Sequence, residues 1–473
     1  MKQSQQPPFR LGRPVCDFSG KGHAADLWRL RDAFEHLAIL GSTGTGKTSG
    51  PGAAIASALL NPAGLAEGER VGMVVPFYKD DRKEWEKWAW QQGREQDLIR
   101  IGAEHANVFN ILEAYAEDEP LNAVNALMNI SELSASGQGR KSEPFWEVMQ
   151  RKYLDRLIRL NQLCGEPLNI ATLNRLHGSA PQDRQQLYSE EFETRSFFMQ
   201  MMNRAAGAAG EQQPDFRLVA DFVHEMVFMA DETASSIRAM ASSVLEPFVA
   251  SRMLYNLFCG TSGLNLDDLF TGKILLLDVP VQRHEFAGRI AQVMLIYAIM
   301  KEVEKRDLQT HGNPLLFWID EAQNFITRYT HLFMSVSRSA RCGMVLMTQN
   351  ISNMIAAMGG GLEGKARVDS LLGLCNTKIF GANNDPVTNE FAANSIGRAF
   401  RDVSSINLGF EGNSSSGVSQ QLHHLVEPRE FTMLRKGSRQ HDWLVDTILV
   451  GTGRVFSNGL NYLPVTFRQH FAR

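Results

Sequence analysis

The sequence predicts an α/β protein: a mainly parallel sheet interrupted by an inserted all-helical domain. Three observations carry that reading. Short apolar runs alternate with helical ones over residues 34–114 and again from residue 263 onward, a rhythm that favours a parallel sheet covered by helices. A glycine-rich phosphate-binding motif sits at the first strand-to-helix junction. Between the two blocks the strand rhythm stops and apolar residues recur at helical spacing.

Taken in order, residues 1–33 form an N-terminal extension whose first thirteen residues are rich in Gln and Pro and lack an apolar signal-peptide core. Residues 34–40 read as a strand, 50–60 as a helix of small residues, 71–77 as a buried strand, 80–92 as a helix and 98–101 as another strand. Residues 115–262 change character. Phe145, Met149, Tyr153, Leu157 and Leu160 fall on one helical face, residues 235–257 read the same way, and 134–143 and 205–213 are connections. Strands resume at 273–279, 314–319, 344–348 and 377–380, with a helix over 286–303 and two last strands at 443–450 and 463–467. The polar, Gly/Ser-rich stretch 409–419 reads as a mobile loop. The expected organisation is an extension (1–33), a nucleotide-binding domain in two parts (34–114 and 263–473) and an all-alpha domain (115–262).

Composition bounds the function. An apolar fraction of 44% with 21% charged residues excludes disordered and collagen-like classes, and 473 residues suffice for a large core. A net charge of −4 excludes a histone-like polycation but says nothing of a local basic groove. No apolar run approaches the ~20 residues of a transmembrane helix. The five cysteines are scattered without a CxxC pair, so neither a disulfide framework nor a zinc site is expected. A cytoplasmic protein follows as the expectation.

Gly41-Ser42-Thr43-Gly44-Thr45-Gly46-Lys47-Thr48, with Ser49 behind it, fits G-x-x-x-x-G-K-[ST]. Glycines let backbone N–H groups curl around phosphate oxygens, and the following helix offers its positive end. Lys47 reaches the β- and γ-phosphates of ATP, and the Thr48 hydroxyl is placed for Mg²⁺. Two strands end in an acid that could serve the metal: Asp278 and Asp320. Asp320 is followed by Glu321, a second carboxylate able to act as base toward water, whereas Asp278 is followed by Val279-Pro280. Asp320 is therefore assigned to the metal and Glu321 to the base, with Asp278 as the alternative. Gln349, at the tip of the next strand, is placed to sense the γ-phosphate. Arg338 or Arg341 could serve as an arginine finger for a neighbouring subunit.

These residues, in this order, resemble the type IV secretion coupling proteins, the TraG/TraD-like conjugative DNA-transfer ATPases within the FtsK/HerA group of P-loop motors. The resemblance rests on His36 to Thr48, Phe145-Trp146, Ser235-Ser-Ile237, Leu245-Glu-Pro-Phe248, Ile274 to Pro280, Ile319-Asp-Glu-Ala322, Ser337-Arg338 through Gly343, Thr348-Gln349, Asn376 to Phe380, Asn384-Asp385 and the stretch from Leu425 to Leu434. It implies a RecA-like domain, a homo-hexameric ring with nucleotide between subunits, DNA in the central channel and Arg338 acting in trans. Catalysis falls to Glu321, Lys47, Gln349 and Arg338, with Thr48 and Asp320 at Mg²⁺. Two departures stand out: the family's transmembrane helices are missing, and the second strand runs into Lys79-Asp80-Asp81 instead of an Asp-x-Lys-Gly-like turn. The first implies a separate membrane or secretion-channel subunit as partner, with a relaxase or a nuclease as further candidates. Alternatives are a HerA-like translocase working with a nuclease in repair or defence, an ATPase for protein secretion or channel assembly, and a nucleotide-gated assembly switch.

Backbone contacts supply most non-specific DNA affinity, so only channel-facing loops of a ring need to be basic. Residues 358–367 read as a glycine-rich loop offering Lys365 and Arg367 to that channel, and six Lys/Arg from Arg435 onward could add a basic rim. His423-His424 reads as surface, and the methionines from Met226 to Met253 as core.

Overall fold

The computed structural model describes residues 12–469 except 64, 66, 103–108, 116–118, 136–143, 261 and 409–413. Its centre is a nine-stranded sheet. The strands, in chain order, are β1 (Pro14–Asp17), β2 (Leu27–Arg29), β3 (Leu37–Leu40), β4 (Gly72–Pro76), β5 (Leu98–Gly102), β6 (Ile274–Asp278), β7 (Leu315–Ile319), β8 (Cys342–Thr348), β9 (Thr377–Phe380), β10 (Arg398–Leu408), β11 (Ser414–His424), β12 (Leu444–Gly451) and β13 (Tyr462–Arg468). The sheet order is β13-β12-β9-β3-β8-β7-β4-β6-β5. From β9 to β5 every pairing is parallel, while β12 runs antiparallel to both β9 and β13.

The apolar runs are short and nearly unbroken because this sheet is buried on both faces. Side-chain alternation sorts each strand between two cores. Ala38, Leu40, Val74, Leu275, Leu277, Phe317 and Leu346 face one; Leu37, Ile39, Met73, Val75, Leu276, Trp318 and Val345 face the other. The second core also receives the helix Ala53–Leu60 and the aromatic cluster Trp85, Trp88 and Trp318.

The first core runs on without interruption into the helical block. Helices Pro120–Ala135, Pro144–Leu163, Ile170–Ser179, Phe197–Ala209, Pro214–Phe228, Asp231–Ala250 and Arg252–Phe258 succeed one another there, with no strand among the described residues of 115–262. Met149, Tyr153, Leu157 and Leu160 are buried as their spacing predicts, whereas Phe145 at the helix start is 48% exposed. The long helix Val281–Lys305, bent at Glu285 (φ 47), joins the block to the sheet. Ahead of the sheet, the small β1–β2 hairpin laps over its edge. Trp28 is fully buried and donates from Nε1 to Thr377 Oγ1 at 3.2 Å, and the Asp26 carboxylate accepts from Ser457 N and Oγ.

Two sequence expectations are overturned. Of the stretch read as a loop at 409–419, residues 414–419 belong to β11, which pairs with β10 in a two-stranded ribbon outside the main sheet; 409–413 lie outside the described residues. Residues 358–367 are not an open loop either. The chain turns at Met358–Gly360 and enters the helix Gly361–Gly373, where Lys365 pairs with Asp369 and Arg367 with Glu363 and the Met358 carbonyl. Both cations are thus tied to their own element by local pairing. Among the described residues no helix is long and apolar enough to cross a membrane.

Candidate nucleotide site

The site grows out of the C-terminal ends of β3, β8 and β7, three adjacent strands. Their register, with Leu40 opposite Thr348 and Ile319 opposite Leu346, brings the residues after each strand into one cluster. The glycine-rich loop leaves β3 with Gly41 N donating to Thr348 O at 3.3 Å and Ser42 N to Ala382 O at 3.0 Å. Gly44 (φ 74) and Gly46 (φ 83) take left-handed backbone that other residues rarely adopt. Thr45 ties the curl internally, its Oγ1 donating to Ser42 O at 2.7 Å.

The helix beyond opens with a wide π turn, Thr48–Gly52, and the cause is Pro51. Proline lacks the N–H that Lys47 O would accept four residues on, so that carbonyl accepts from Gly52 N, five residues on, at 2.9 Å. A Cβ on Gly52 would lie 2.9 Å from the same oxygen. The sequence carries the signal in Gly50-Pro51-Gly52.

Opposite the loop stand the acids. Thr48 Oγ1 donates to Asp320 Oδ2 at 2.8 Å, and Lys47 Nζ lies 3.3 Å from Glu321 Oε1. Glu321 occupies left-handed space (φ 50, ψ 50), which turns the chain immediately after β7. Gln349 Nε2 donates to both Glu321 oxygens at 3.1 and 3.2 Å, and its Oε1 accepts from Thr43 Oγ1 at 2.9 Å. Burial pushes the Asp320 carboxyl up, against the opposing pull of Lys47. For Glu321 burial acts in the same upward sense, but Lys47 and the hydrogen bonds from Gln323, Gln349 and Lys47 bring it below the usual carboxylate range. A Thr hydroxyl beside one carboxylate is an oxygen-only donor set of the kind that suits Mg²⁺, which keeps several of its waters. The residues fit that ion and a phosphate chain.

The other candidates separate cleanly. Asp278, at the end of β6, lies two strands from β7 and accepts from Arg82 Nη1 at 2.7 Å. Arg341 donates from Nη1 to Gly312 O at 2.9 Å, whereas Arg338 is 68% exposed and rests on Glu35 at 3.0 Å. The turn after β4 lies beside β7. Burial and then Asp320 push the Asp81 carboxyl up, although Lys79 opposes them.

Two members of the cluster escaped the sequence reading. Gln323 donates to Glu321 Oε2 at 2.9 Å while accepting from Thr348 Oγ1 at 2.9 Å, so it fixes the acid turn to β8. Asn383, three residues beyond β9, accepts from Ser42 Oγ at 3.1 Å and donates to Gln349 O at 2.8 Å. The first had a signal in its spacing from Glu321; the second depends on β9 lying beside β3.

Comparison with known proteins adds two findings. Residues 314–436 match the TraG-D_C family, described as the TraM recognition site of TraD and TraG. No curated protein matches the chain. Among solved structures, the unbound bacterial conjugative coupling protein TrwBdeltaN70 superposes with a TM-score of 0.60 at 15% identity, over 95% of this chain and 87% of its own. The plasmid coupling protein TrwB with GDPNP gives 0.58 at 14%, over 95% and 88%. TrwB with ADP and Mg²⁺ gives 0.58 at 14%, over 94% and 89%. The chain thus has a RecA-like P-loop fold, resembles the TraD and TraG segment in the sequence of residues 314–436, and is similar in fold to TrwB over nearly its whole length.

Proposed function

We propose that this protein is an ATP-driven DNA-translocating motor, a coupling protein that delivers DNA or nucleoprotein to a type IV secretion or conjugation channel. The observation that carries the reading is the set of contacts linking the glycine-rich loop to the acid turn: Lys47–Glu321, Thr48–Asp320 and Thr43–Gln349–Glu321. The partners follow three different strands, β3, β7 and β8, so the cluster responds as a unit to what the loop holds.

In this reading Lys47 exchanges Glu321 for the β- and γ-phosphates, which frees the Glu321 carboxylate to orient and deprotonate water. Gln323 and Gln349 hold that carboxylate in place. Thr48 and Asp320 would hold Mg²⁺, which would supply charge neutralisation at the phosphates. Arg338, exposed and resting on Glu35, is available to the nucleotide of a neighbouring subunit in a homo-hexamer. The matched family supports a protein partner on residues 314–436, and DNA would occupy the channel of the ring.

The test is ATP turnover with and without single- and double-stranded DNA, read beside the assembled mass. Turnover should rise with DNA. Glu321→Gln should fall at least about 100-fold while still retaining nucleotide, and Lys47→Ala should lose both binding and turnover. A wild-type rate that ignores DNA of either form sinks the motor; a wild-type rate in Glu321→Gln sinks the choice of base.

A further inference from the structure

Outside the cluster just described, the second half of the glycine-rich loop is covered by the strand pair β12–β13 and the residue that follows it. Gln469 donates from Nε2 to Ser49 Oγ at 2.8 Å and from its backbone N–H to Trp443 O at 2.8 Å. Its side chain fills a slot bounded by two glycines. A Cβ on Gly46 would lie 2.7 Å from Val445 Cγ2 and 2.9 Å from Gln469 Nε2, and one on Gly437 would lie 2.4 Å from Gln469 Cδ and Oε1. Gly50 is covered the same way, by Val445 and Phe467.

Two features of this cover are costly to the fold. Gln469 Oε1 is buried and has no donor among the described residues. Asp442 (φ 51) and Trp443 (φ 60) are successive non-glycine residues in left-handed backbone, forming the turn whose carbonyl receives Gln469. A hydrophobic side chain of similar length would fill the slot without the unmet acceptor. What it could not do is bond Ser49. The serine hydroxyl donates as readily as it accepts, so the link stands in either orientation of the amide.

We infer that Gln469 is a positioning residue of the nucleotide site. Its carboxamide holds Ser49, and with it the turn from Gly46 to Gly50, in the geometry that receives the nucleotide's phosphates. The N–H groups of that turn are the donors a phosphate chain would meet. A loop fixed beforehand binds without the cost of ordering it on each encounter. Gln469 therefore acts on nucleotide affinity, and the chemistry at Glu321 does not depend on it. This inference rests on the nucleotide reading of the loop.

The test is a double-mutant cycle on the full chain, reading the Kd of MgADP by titration and the KM and kcat for ATP. Gln469→Met keeps the packing and removes the bond. It should weaken MgADP binding and raise KM by about fivefold, the factor one hydrogen bond supplies, with kcat at saturation changed much less. Ser49→Ala should weaken binding at least as much, and the double variant no further than Ser49→Ala alone. Multiplying effects, or unchanged affinity in Gln469→Met, overturn the inference. If Gln469→Met does not fold, Ser49→Thr and Ser49→Val decide. The hydroxyl variant should bind several-fold tighter than its isostere, and equal Kd values overturn the inference. A wild type that binds neither MgADP nor MgATP defeats the nucleotide reading itself, a result distinct from a wild type that binds and a cycle that fails.

Discussion

His36 shows how much one residue beside the glycine-rich loop can carry. Just ahead of β3, in left-handed backbone (φ 60), its ring is 3% exposed. Nε2 donates to Met334 O at 2.9 Å and Nδ1 accepts from Met344 N at 3.1 Å, so the neutral ring joins β8 to the helix Arg328–Val336. Burial pushes its pKa down to about 4, against smaller opposing effects of the Met334 carbonyl and Glu35. The unfolded chain, with an ordinary histidine near 6.5, therefore binds more protons than the fold between those two values. Stability should be full above about pH 6.5 and fall on the order of 3 kcal/mol as pH drops toward 4. Unfolding midpoints across that window should flatten in His36→Gln; an unchanged slope would show that other groups govern it. Lys47, Thr48, Asp320, Glu321 and Gln349 were legible in the sequence because a motif or a strand end marks each of them. Gln323 offered only its spacing from Glu321, and Asn383, Gln469 and the locking role of His36 were not legible, because each of these acts through a neighbour distant in the chain.

Among the elements, the parallel strands were legible for the reason they are stable: buried on both faces, they are nearly continuous apolar runs. β10 and β11 were not. Their ribbon stands outside the main sheet, and Phe400 and Leu422, paired across it, are 69% and 53% exposed, so no buried apolar run marks them. The helix Gly361–Gly373 was obscured by the glycines at its start. The close approach of β8 to the segment before β3 had only one sign, Gly343. A Cβ there would lie 2.0 Å from the Ala33 carbonyl oxygen. Gly343→Ala should lower stability by about 3 kcal/mol or more, read as a drop in unfolding midpoint. Gly207→Ala, at an exposed position of the helix Phe197–Ala209 with nothing near its new methyl, should not lower it. Equal midpoints for the two variants would mean that β8 and Ala33 separate at little cost.

For the whole molecule, the proposed ring decides what Arg338 would do. Held by Glu35 and otherwise exposed, it should support turnover on a neighbour's nucleotide. Arg338→Ala should be inactive alone and regain part of its turnover when mixed with Lys47→Ala, since a mixed ring restores one intact pairing of finger and loop. No recovery at any mixing ratio would remove Arg338 from the neighbour's site. The modest negative charge is compatible with such a ring, because only its lining need carry cations. From the sequence the helical block was expected at 115–262, but how it is attached was not legible, since contiguity of a core is a property of packing. Ala38, Leu40 and Val74 of the sheet share one hydrophobic core with Leu173, Phe222 and Phe248 of the block. The block is therefore no detachable cassette. Exchanging it for another protein's helices, or deleting it, would uncover the apolar residues that the helix Val281–Lys305 now packs against the block, and leave an aggregating surface where the fold now has its interior.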